Sequence, residues 1–428
     1  MNNEEIKEYL VDFQKRDIPK LIERRLKILD SKKIKSIIGP RRAGKTFFIY
    51  QKIKEILKTG VSKENIIYLN FEDTRLISIN FKEIRDIIKL QWQLFPSSTK
   101  GEFYVFIDEP QNIEKWEHAV RALSDEGFNI FLTGSSSKLL SKEIATHLRG
   151  RTLSYLLLPF SFKEFLLIKE FNSDINKLGS KEKAILLSLL DEYFEYGGFP
   201  EVILGKNETK LKILDNYFNL IVYRDIVDRY KIKNTKLIKW LINSLISSFS
   251  SEVSINKIYL TLKSQGFKLS KNTLYLYLSL LEDSFFIFLI PKFDYSTRKR
   301  EFSINKSYLS DIGFSKLTEF SKDKGRKMEN IVFLELERRK APLTEIYYWK
   351  NQQQEEVDFV IKEGKVKELI QVCYNLDNSK DREIRALLKA SKELKCNNLT
   401  VITENKEGEE KISNKKIKFI PLWKWLLV

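Results

Sequence analysis

Cysteine and histidine are nearly absent from this chain, with two of each in 428 residues. Cys373 and Cys396 cannot build a disulfide framework, which excludes a small secreted scaffold. His118 and His147 lie far apart and no Cys or His pair has zinc spacing, so no structural zinc site is expected. Long apolar runs are missing too. The tightest cluster, Phe285 to Ile290, is about a third of the ~20 residues that span a bilayer. The opening residues, MNNEEIKE, are charged where a secretory leader is apolar. The chain therefore reads as cytoplasmic, with no membrane partner. Scarce Met and Cys beside abundant Lys, Glu, Ile and Tyr also suit a heat-tolerant source.

What is there suits two or three domains with real cores: 43% hydrophobic and 31% charged residues. That balance excludes a disordered tail or a coiled coil. Lys and Arg number 75 against 58 Asp and Glu, a net charge of +17. Such an excess admits nucleic acid, an anionic surface or a plain solvated face.

The most specific signal begins at Ile34. A short apolar run, Ile34 to Ile38, enters a loop that opens a helix. The loop is Gly39, Pro40, Arg41, Arg42, Ala43, Gly44, Lys45 and Thr46, which matches GxxxxGK[ST]. Backbone N–H groups of such a loop close around phosphate oxygens, aided by the partial positive charge of the helix N-terminus. Lys45 is expected to reach the β and γ phosphates and Thr46 to ligate Mg²⁺. Phe47, on the first helical turn, is placed with the nucleotide-binding residues. The expected cofactors are ATP and Mg²⁺.

A second segment supplies acid. Phe103 to Ile107 is apolar and ends in Asp108 and Glu109. A buried parallel strand is apolar on both faces, so acids at its carboxyl end face the crevice where ligands bind. Asp108 is expected to hold Mg²⁺ and Glu109 to polarise the attacking water. Further strands are read at Asn65–Phe71 and Asn129–Thr133. A strand between loop and acids, with the paired Glu, marks the P-loop branch with an inserted central strand. Behind the later strand, Thr133-Gly134-Ser135-Ser136-Ser137 offers hydroxyls for a γ-phosphate sensor, Ser135 first and Thr133 second. Arg149 or Arg151 is expected to sense phosphate in cis or to act as a finger in trans.

In this order, GPRRAGKT, FIDEPQNIEKWEHAVRAL, FLTGSSSKLLS, LRGRTLSYLLLPFSFKEFL and YGGFPEVIL resemble an AAA+-type P-loop ATPase group of archaea and bacteria. The resemblance covers essentially the whole chain. It implies a P-loop domain joined to a winged helix and a C-terminal domain related to restriction-type nucleases. The expected fold class is α/β: a P-loop NTPase parallel sheet with a helical lid, a winged-helix domain and a restriction-nuclease-like domain. Their expected bounds are 1–160, 161–235, 236–324 and 325–428.

Downstream, 160–230 reads as helical and breaks at Gly197-Gly198-Phe199-Pro200. Between 250 and 304 the pattern is helix-turn-helix. Ser254 caps one helix through about Gln265, and Ser270 precedes a second from Lys271 to Leu281. A strand follows over Phe285–Lys292. Lys271, Asn272, Thr273 and Tyr275 open the expected recognition helix. Arg298, Lys299 and Arg300 fall where a wing would touch backbone phosphates. Lys231 to Lys306 carries 13 Lys and Arg against five Asp and Glu, which makes DNA the favoured client. In the last part, a helix with Glu329 and strands at 346–349, 355–361, 369–373 and 399–403 are similar in order to PD-(D/E)XK nucleases. Asp358 matches the first acid and Glu329 the helical acid, with Glu356 as a substitute. The Glu-x-Lys positions fall on Gln371 and Cys373, which removes a charge partner and the orienting cation. No nuclease activity is expected. A homo-oligomer with an arginine supplied in trans is the open partner question. The alternative readings are a nucleotide-dependent switch that recruits a protein and an ATP-gated nuclease.

Overall fold

The apolar run Ile34–Ile38 is buried at every position and becomes strand β1. In the computed structural model, which describes residues 2–135, 148, 150–318 and 323–428, β1 sits inside a five-stranded parallel sheet. Its partners are β2 (Ile66–Asn70), β3 (Tyr104–Asp108), β4 (Asn129–Gly134) and β5 (Thr152–Leu156), in the order β2–β3–β4–β1–β5. The inserted central strand is β4, which separates β1 from β3 in space. β2, the strand that intervenes in sequence, lies at the edge.

That edge is capped by α1 (Asn3–Lys15), whose Tyr9 hydroxyl accepts from Asn70 N–H and donates to the Tyr68 carbonyl, each at 3.0 Å. The opposite edge, β5, is a strand that the sequence pattern does not predict. Its half-buried Thr-Leu-Ser-Tyr-Leu alternation lacks the continuous apolar signal of an inner parallel strand. α2 (Lys45–Lys58) starts directly from the loop after β1. It buries Phe48, Ile49 and Ile53 in a core with Ile37, Ile66, Tyr68, Phe106 and Phe131. Parallel register brings the carboxyl ends of β1, β3 and β4 to the same side of the sheet.

The chain divides into two compact units, Met1–Leu158 and Pro159–Val428. The second begins with helices α3 (Phe162–Ile168), α4 (Ser180–Tyr196), α5 (Pro200–Leu204) and α6 (Asn207–Leu220). The break between α4 and α5 needs glycine: a Cβ on Gly198 would lie 2.2 Å from the Phe160 carbonyl oxygen. Asp311 accepts from Gly198 N–H at 2.7 Å, and burial pushes its carboxyl up to about 7.

α7 (Thr235–Ser247) leads to the helix pair α8 (Ile255–Ser264) and α9 (Lys271–Asp283), capped by Ser254 and Ser270. A three-stranded antiparallel sheet accompanies them. It comprises β6 (Ser251–Val253), β7 (Ile287–Ile290) and β8 (Asn305–Leu309), in the order β6–β8–β7.

The C-terminal region holds a six-stranded mixed sheet with the order β13–β14–β12–β11–β10–β9. Its strands are β9 (Thr344–Lys350), β10 (Glu356–Glu363), β11 (Lys365–Cys373), β12 (Leu399–Thr403), β13 (Gly408–Ile412) and β14 (Lys415–Pro421). β11, β12 and β14 run parallel, and the remaining pairs are antiparallel. α10 (Lys324–Arg339) precedes the sheet and α11 (Leu376–Glu393) connects β11 to β12. The β13–β14 hairpin and the final helix, Leu422–Leu427, have no counterpart among the sequence expectations. Among the described residues, no helix is long and apolar enough to cross a membrane.

Candidate active site

The loop after β1 is shaped by backbone constraints that only certain residues meet. Gly39 has φ +151°, and a Cβ there would lie 2.1 Å from the Leu157 carbonyl oxygen. Gly44 closes the loop at φ +93°, a left-handed conformation that costs glycine little, and α2 begins at the next residue. Arg42 holds φ +66° within the turn and is exposed, whereas Ala43 is fully buried. Buried Arg24, from the segment before β1, braces the loop by donating to the Ala43 carbonyl at 2.8 Å. Arg24 carries no sequence signal, because one of two adjacent arginines in a stretch that mixes charged and apolar residues resembles any surface residue.

Lys45 is buried with its ammonium inside the loop, donating to the carbonyls of Gly39 at 3.0 Å and Pro40 at 2.9 Å. Thr46 Oγ1 donates to Asp108 Oδ2 at 2.7 Å, joining the two sequence motifs. The same oxygen accepts from the Tyr68 hydroxyl at 2.9 Å, and Oδ1 accepts from Thr133 Oγ1. Burial, with Glu109 adding to it, pushes the Asp108 carboxyl up against the three hydroxyl donors that favour its charge. Tyr68 reads in the sequence only as part of a strand. Parallel pairing of β2 and β3 sets Asn70 opposite Asp108 and brings Tyr68, two residues earlier, within reach of that carboxylate.

Glu109 follows in the left-handed region, at φ +53°. A non-glycine residue there is uncommon and marks a backbone held by its surroundings. The Ser135 hydroxyl and backbone N–H both donate to Glu109 Oε2, at 3.1 and 3.4 Å, and the Gln111 amide joins them. Burial works against the charge of Glu109. Lys45, Arg41 and the hydrogen bonds outweigh it and hold the carboxyl below its ordinary value. Thr133 and Ser135 thus divide the acid pair between them, one on each carboxylate.

Arg41 pairs with Glu72 at 3.4 Å. Phe47 points outward, 54% exposed, with its ring edge-on to Tyr50. Arg151 is displaced from the loop. It directly precedes β5, and Thr152 pairs with Ile34, which sets it at the amino end of the sheet. The phosphate loop leaves the carboxyl end, roughly 15 Å away at ~3.3 Å per residue. Arg151 pairs instead with Asp125, away from the loop, against the expected cis sensor role. Ser136, Ser137 and Arg149 lie outside the described residues.

The DNA-contact candidates separate as well. Lys271, Asn272 and Tyr275 are exposed on the first turns of α9, and the Lys271 ammonium lies 5.6 Å from the Tyr259 ring centre. Arg298, Lys299 and Arg300 lie in the connection between the antiparallel strands β7 and β8. They lie on a five-residue helix, Thr297–Glu301, whose cap is Ser296. Arg300 turns inward and donates to the Asp294 carbonyl at 2.7 Å, leaving Arg298 and Lys299 exposed.

In the C-terminal region Glu329, Glu356 and Asp358 do converge, around a residue that sequence reasoning counts as DNA-binding charge. Lys306 on β8 is buried, its Nζ 2.7 Å from Glu329, 2.6 Å from Glu356 and 3.4 Å from Asp358. Gln371 receives Asp358 N–H at 3.3 Å and donates its amide to Glu383 at 2.5 Å, while Cys373 is buried. Among the described residues, no group of three or more His, Cys, Asp or Glu side chains is arranged to hold a metal ion.

Residues 31–166 match an AAA domain family, 187–323 a domain of unknown function (DUF8612) and 324–425 another (DUF4143). The chain is 46% identical over 417 residues to the uncharacterized protein MJ1544 of Methanocaldococcus jannaschii, covering 95% of this chain and 91% of that one. An uncharacterized protein of Haemophilus influenzae is 34% identical over 322 residues, covering 74% of this chain and 78% of its own length. Among solved structures, the Walker-type ATPase PABY2304 of Pyrococcus abyssi is similar at TM-score 0.44 and 17% identity, over 73% of this chain and 93% of that one. The chain belongs to the same family as MJ1544 and carries an AAA-type P-loop domain.

Proposed function

We propose that this member of the MJ1544 family is a Mg²⁺-dependent ATPase that acts on DNA. The observation that carries the ATPase reading is the 2.7 Å contact of Thr46 with Asp108, behind a loop that already encloses the Lys45 ammonium. A Gly39 turn too tight for any side chain leaves the loop backbone as a cradle for phosphate oxygens. Thr46 and Asp108 fit Mg²⁺, a hard cation that takes oxygen donors, and would hold it. Bound there, the ion supplies charge neutralisation at the β and γ phosphates. Lys45 orients the phosphates. Glu109, ionised and aimed by Ser135 and Gln111, accepts the proton of the attacking water.

Tyr68 fixes the carboxylate of Asp108. Tyr68→Phe removes one hydrogen bond to a charged group, which costs ~1.5 kcal/mol or more. The Mg²⁺ concentration for half-maximal ATPase rate should rise about tenfold, while ATP binding measured in EDTA stays unchanged. An unshifted Mg²⁺ titration removes Tyr68 from the site.

The helix pair α8–α9 with its three-stranded sheet supports a winged helix over 236–324, and the helix-strand order supports a PD-(D/E)XK-like domain over 325–428. DNA is the client favoured by the exposed Lys271, Asn272 and Tyr275 together with Arg298 and Lys299. Fluorescence anisotropy with duplex and branched DNA between 50 and 200 mM salt tests this. Changing Lys271, Arg298 and Lys299 to Ala should weaken binding and flatten the salt slope by about 0.9 for each phosphate that is no longer neutralised. No binding at 50 mM salt removes the DNA reading. A second reading, nucleotide-dependent recruitment of a protein, is favoured by exposed Leu260 and Leu276 on the same helix pair, 64% and 55% accessible.

A further inference from the structure

Three carboxylates converge in the second unit from α10 and β10, and the cation between them comes from the chain itself. Lys306, on the central strand of the three-stranded sheet, has a side chain only 3% exposed. Its ammonium reaches Glu329, Glu356 and Asp358 at 2.6–3.4 Å. The carboxylates are held by further donors. Tyr308 donates to Glu329 at 2.7 Å, Val372 N–H donates to Asp358 at 2.9 Å, and Lys350 pairs with the outer oxygen of Glu356 at 3.5 Å.

We propose that this cluster is a cation site occupied in cis: Lys306 stands where a divalent metal ion would stand, and vacating it creates a divalent-metal site. Charge and shape both point this way. Lys306, together with Lys350 on the outer oxygen of Glu356, leaves one of the three carboxylates in excess, which burial makes expensive, and a divalent ion in place of Lys306 balances it. Burial opposes the charge of Lys306 too, but Glu329, Tyr308, Asp358 and Glu356 outweigh it and hold the ammonium well above its ordinary value. It therefore does not leave by losing its proton. Carboxylate oxygens are the donors that Mg²⁺, Mn²⁺ and Ca²⁺ prefer, at about 2.0–2.6 Å. Glu329 and Glu356 stand at 2.7 and 2.6 Å from the Lys306 nitrogen, whereas Asp358, at 3.4 Å, has to close by roughly 1 Å on a bare ion once the lysine is gone.

The consequence reaches beyond the nucleotide site. In the native chain this region offers no seat for a hydrolytic metal, because the seat is filled by a side chain that no soluble ion displaces without breaking three ion pairs. The same lysine, on the strand Asn305–Leu309, ties the three-stranded sheet to the helix Lys324–Arg339 and the strand Glu356–Glu363. Its charge is inaccessible to DNA.

The test uses nucleotide-free full-length protein and Mn²⁺ counted by electron paramagnetic resonance. Lys306→Ala should bind one Mn²⁺ per chain more than the wild type. That ion should be lost again in Lys306→Ala/Asp358→Asn. Mn²⁺ should also raise the melting temperature of Lys306→Ala by a few degrees more than that of the wild type. A folded Lys306→Ala that binds no extra Mn²⁺ overturns the proposal and leaves a structural ion-pair network. Should Lys306→Ala not fold, wild-type protein with ¹⁵N-labelled lysine decides. The buried ammonium signal should persist through a Mn²⁺ titration, and paramagnetic broadening of that signal would show metal entering beside Lys306 and overturn it. Lys45, Thr46 and Asp108 take no part, so failure here leaves the ATPase reading standing.

Discussion

Lys45→Ala should abolish ATP hydrolysis and weaken nucleotide binding by about a hundredfold or more. In the structure the Lys45 ammonium is buried and anchored by two loop carbonyls, at 2.9 and 3.0 Å. Those carbonyls hold the charge inside the ring of backbone that a triphosphate would enter. Hydrogen bonds from a charged donor contribute ~1.5–3 kcal/mol each, and removing two such bonds to phosphate oxygens gives the hundredfold figure. Alanine keeps the helix, having the best helix propensity at the start of α2. Calorimetric titration with ATP, paired with a melting curve, separates loss of binding from loss of fold. Lys45→Arg should fail as well, because a planar guanidinium cannot take the place of a compact ammonium between Gly39 and Pro40. An unaltered ATPase rate in Lys45→Ala would take this lysine, and with it the whole loop, out of the chemistry.

The loop and the acid pair are legible in the sequence because their chemistry is local: glycines, a lysine and a hydroxyl at fixed spacing, then acids at the end of an apolar strand. What joins them is not local. Tyr68 meets Asp108 only because β2 pairs in parallel with β3, and a tyrosine in an apolar strand reads as core. The sequence ranks Thr133 behind Ser135, yet each holds one of the two carboxylates. Arg151 sits close to the motifs in sequence, but parallel register carries it to the far end of the sheet.

Charge counting fails at the buried groups. Lys306 adds to the basic segment as if it faced solvent, although its Nζ is enclosed by acids brought from 23 to 52 residues away. Arg300 likewise spends its charge on its own backbone. The short helix that carries it, within the β7–β8 connection, starts at a serine cap, Ser296, a signal the sequence does show. The edge strands β5 and β13, and β14 beside the latter, give the weakest patterns, since a half-buried strand loses the apolar run that betrays an inner one.

Glu109→Gln should bind ATP with near-native affinity and turn it over at a rate lower by about 10²–10⁴, the usual contribution of a positioned base. Glutamine keeps the length of the side chain and can still accept from Ser135, so the left-handed turn at φ +53° keeps its support. What it loses is the ability to take a proton. Because Lys45, Arg41 and the surrounding donors overcome burial and hold Glu109 below its ordinary value, the wild-type carboxylate is ionised throughout the neutral range. The rate of the wild type should therefore stay flat as pH falls from about 8 to about 6, and it should decline only below the usual carboxylate range as the base becomes protonated. Glu109→Gln should lose the part of that acid limb that Glu109 supplies, leaving only what protonation of Asp108, pushed up by burial, contributes. Ser135→Ala removes the hydroxyl donor to Oε2 and leaves the backbone N–H and the Gln111 amide in place. It should slow turnover less than Glu109→Gln and shift the acid limb upward. A Glu109→Gln protein that loses ATP binding yet retains its turnover per bound nucleotide would reassign Glu109 from base to ligand, and Asp108 would then have to carry both metal and water.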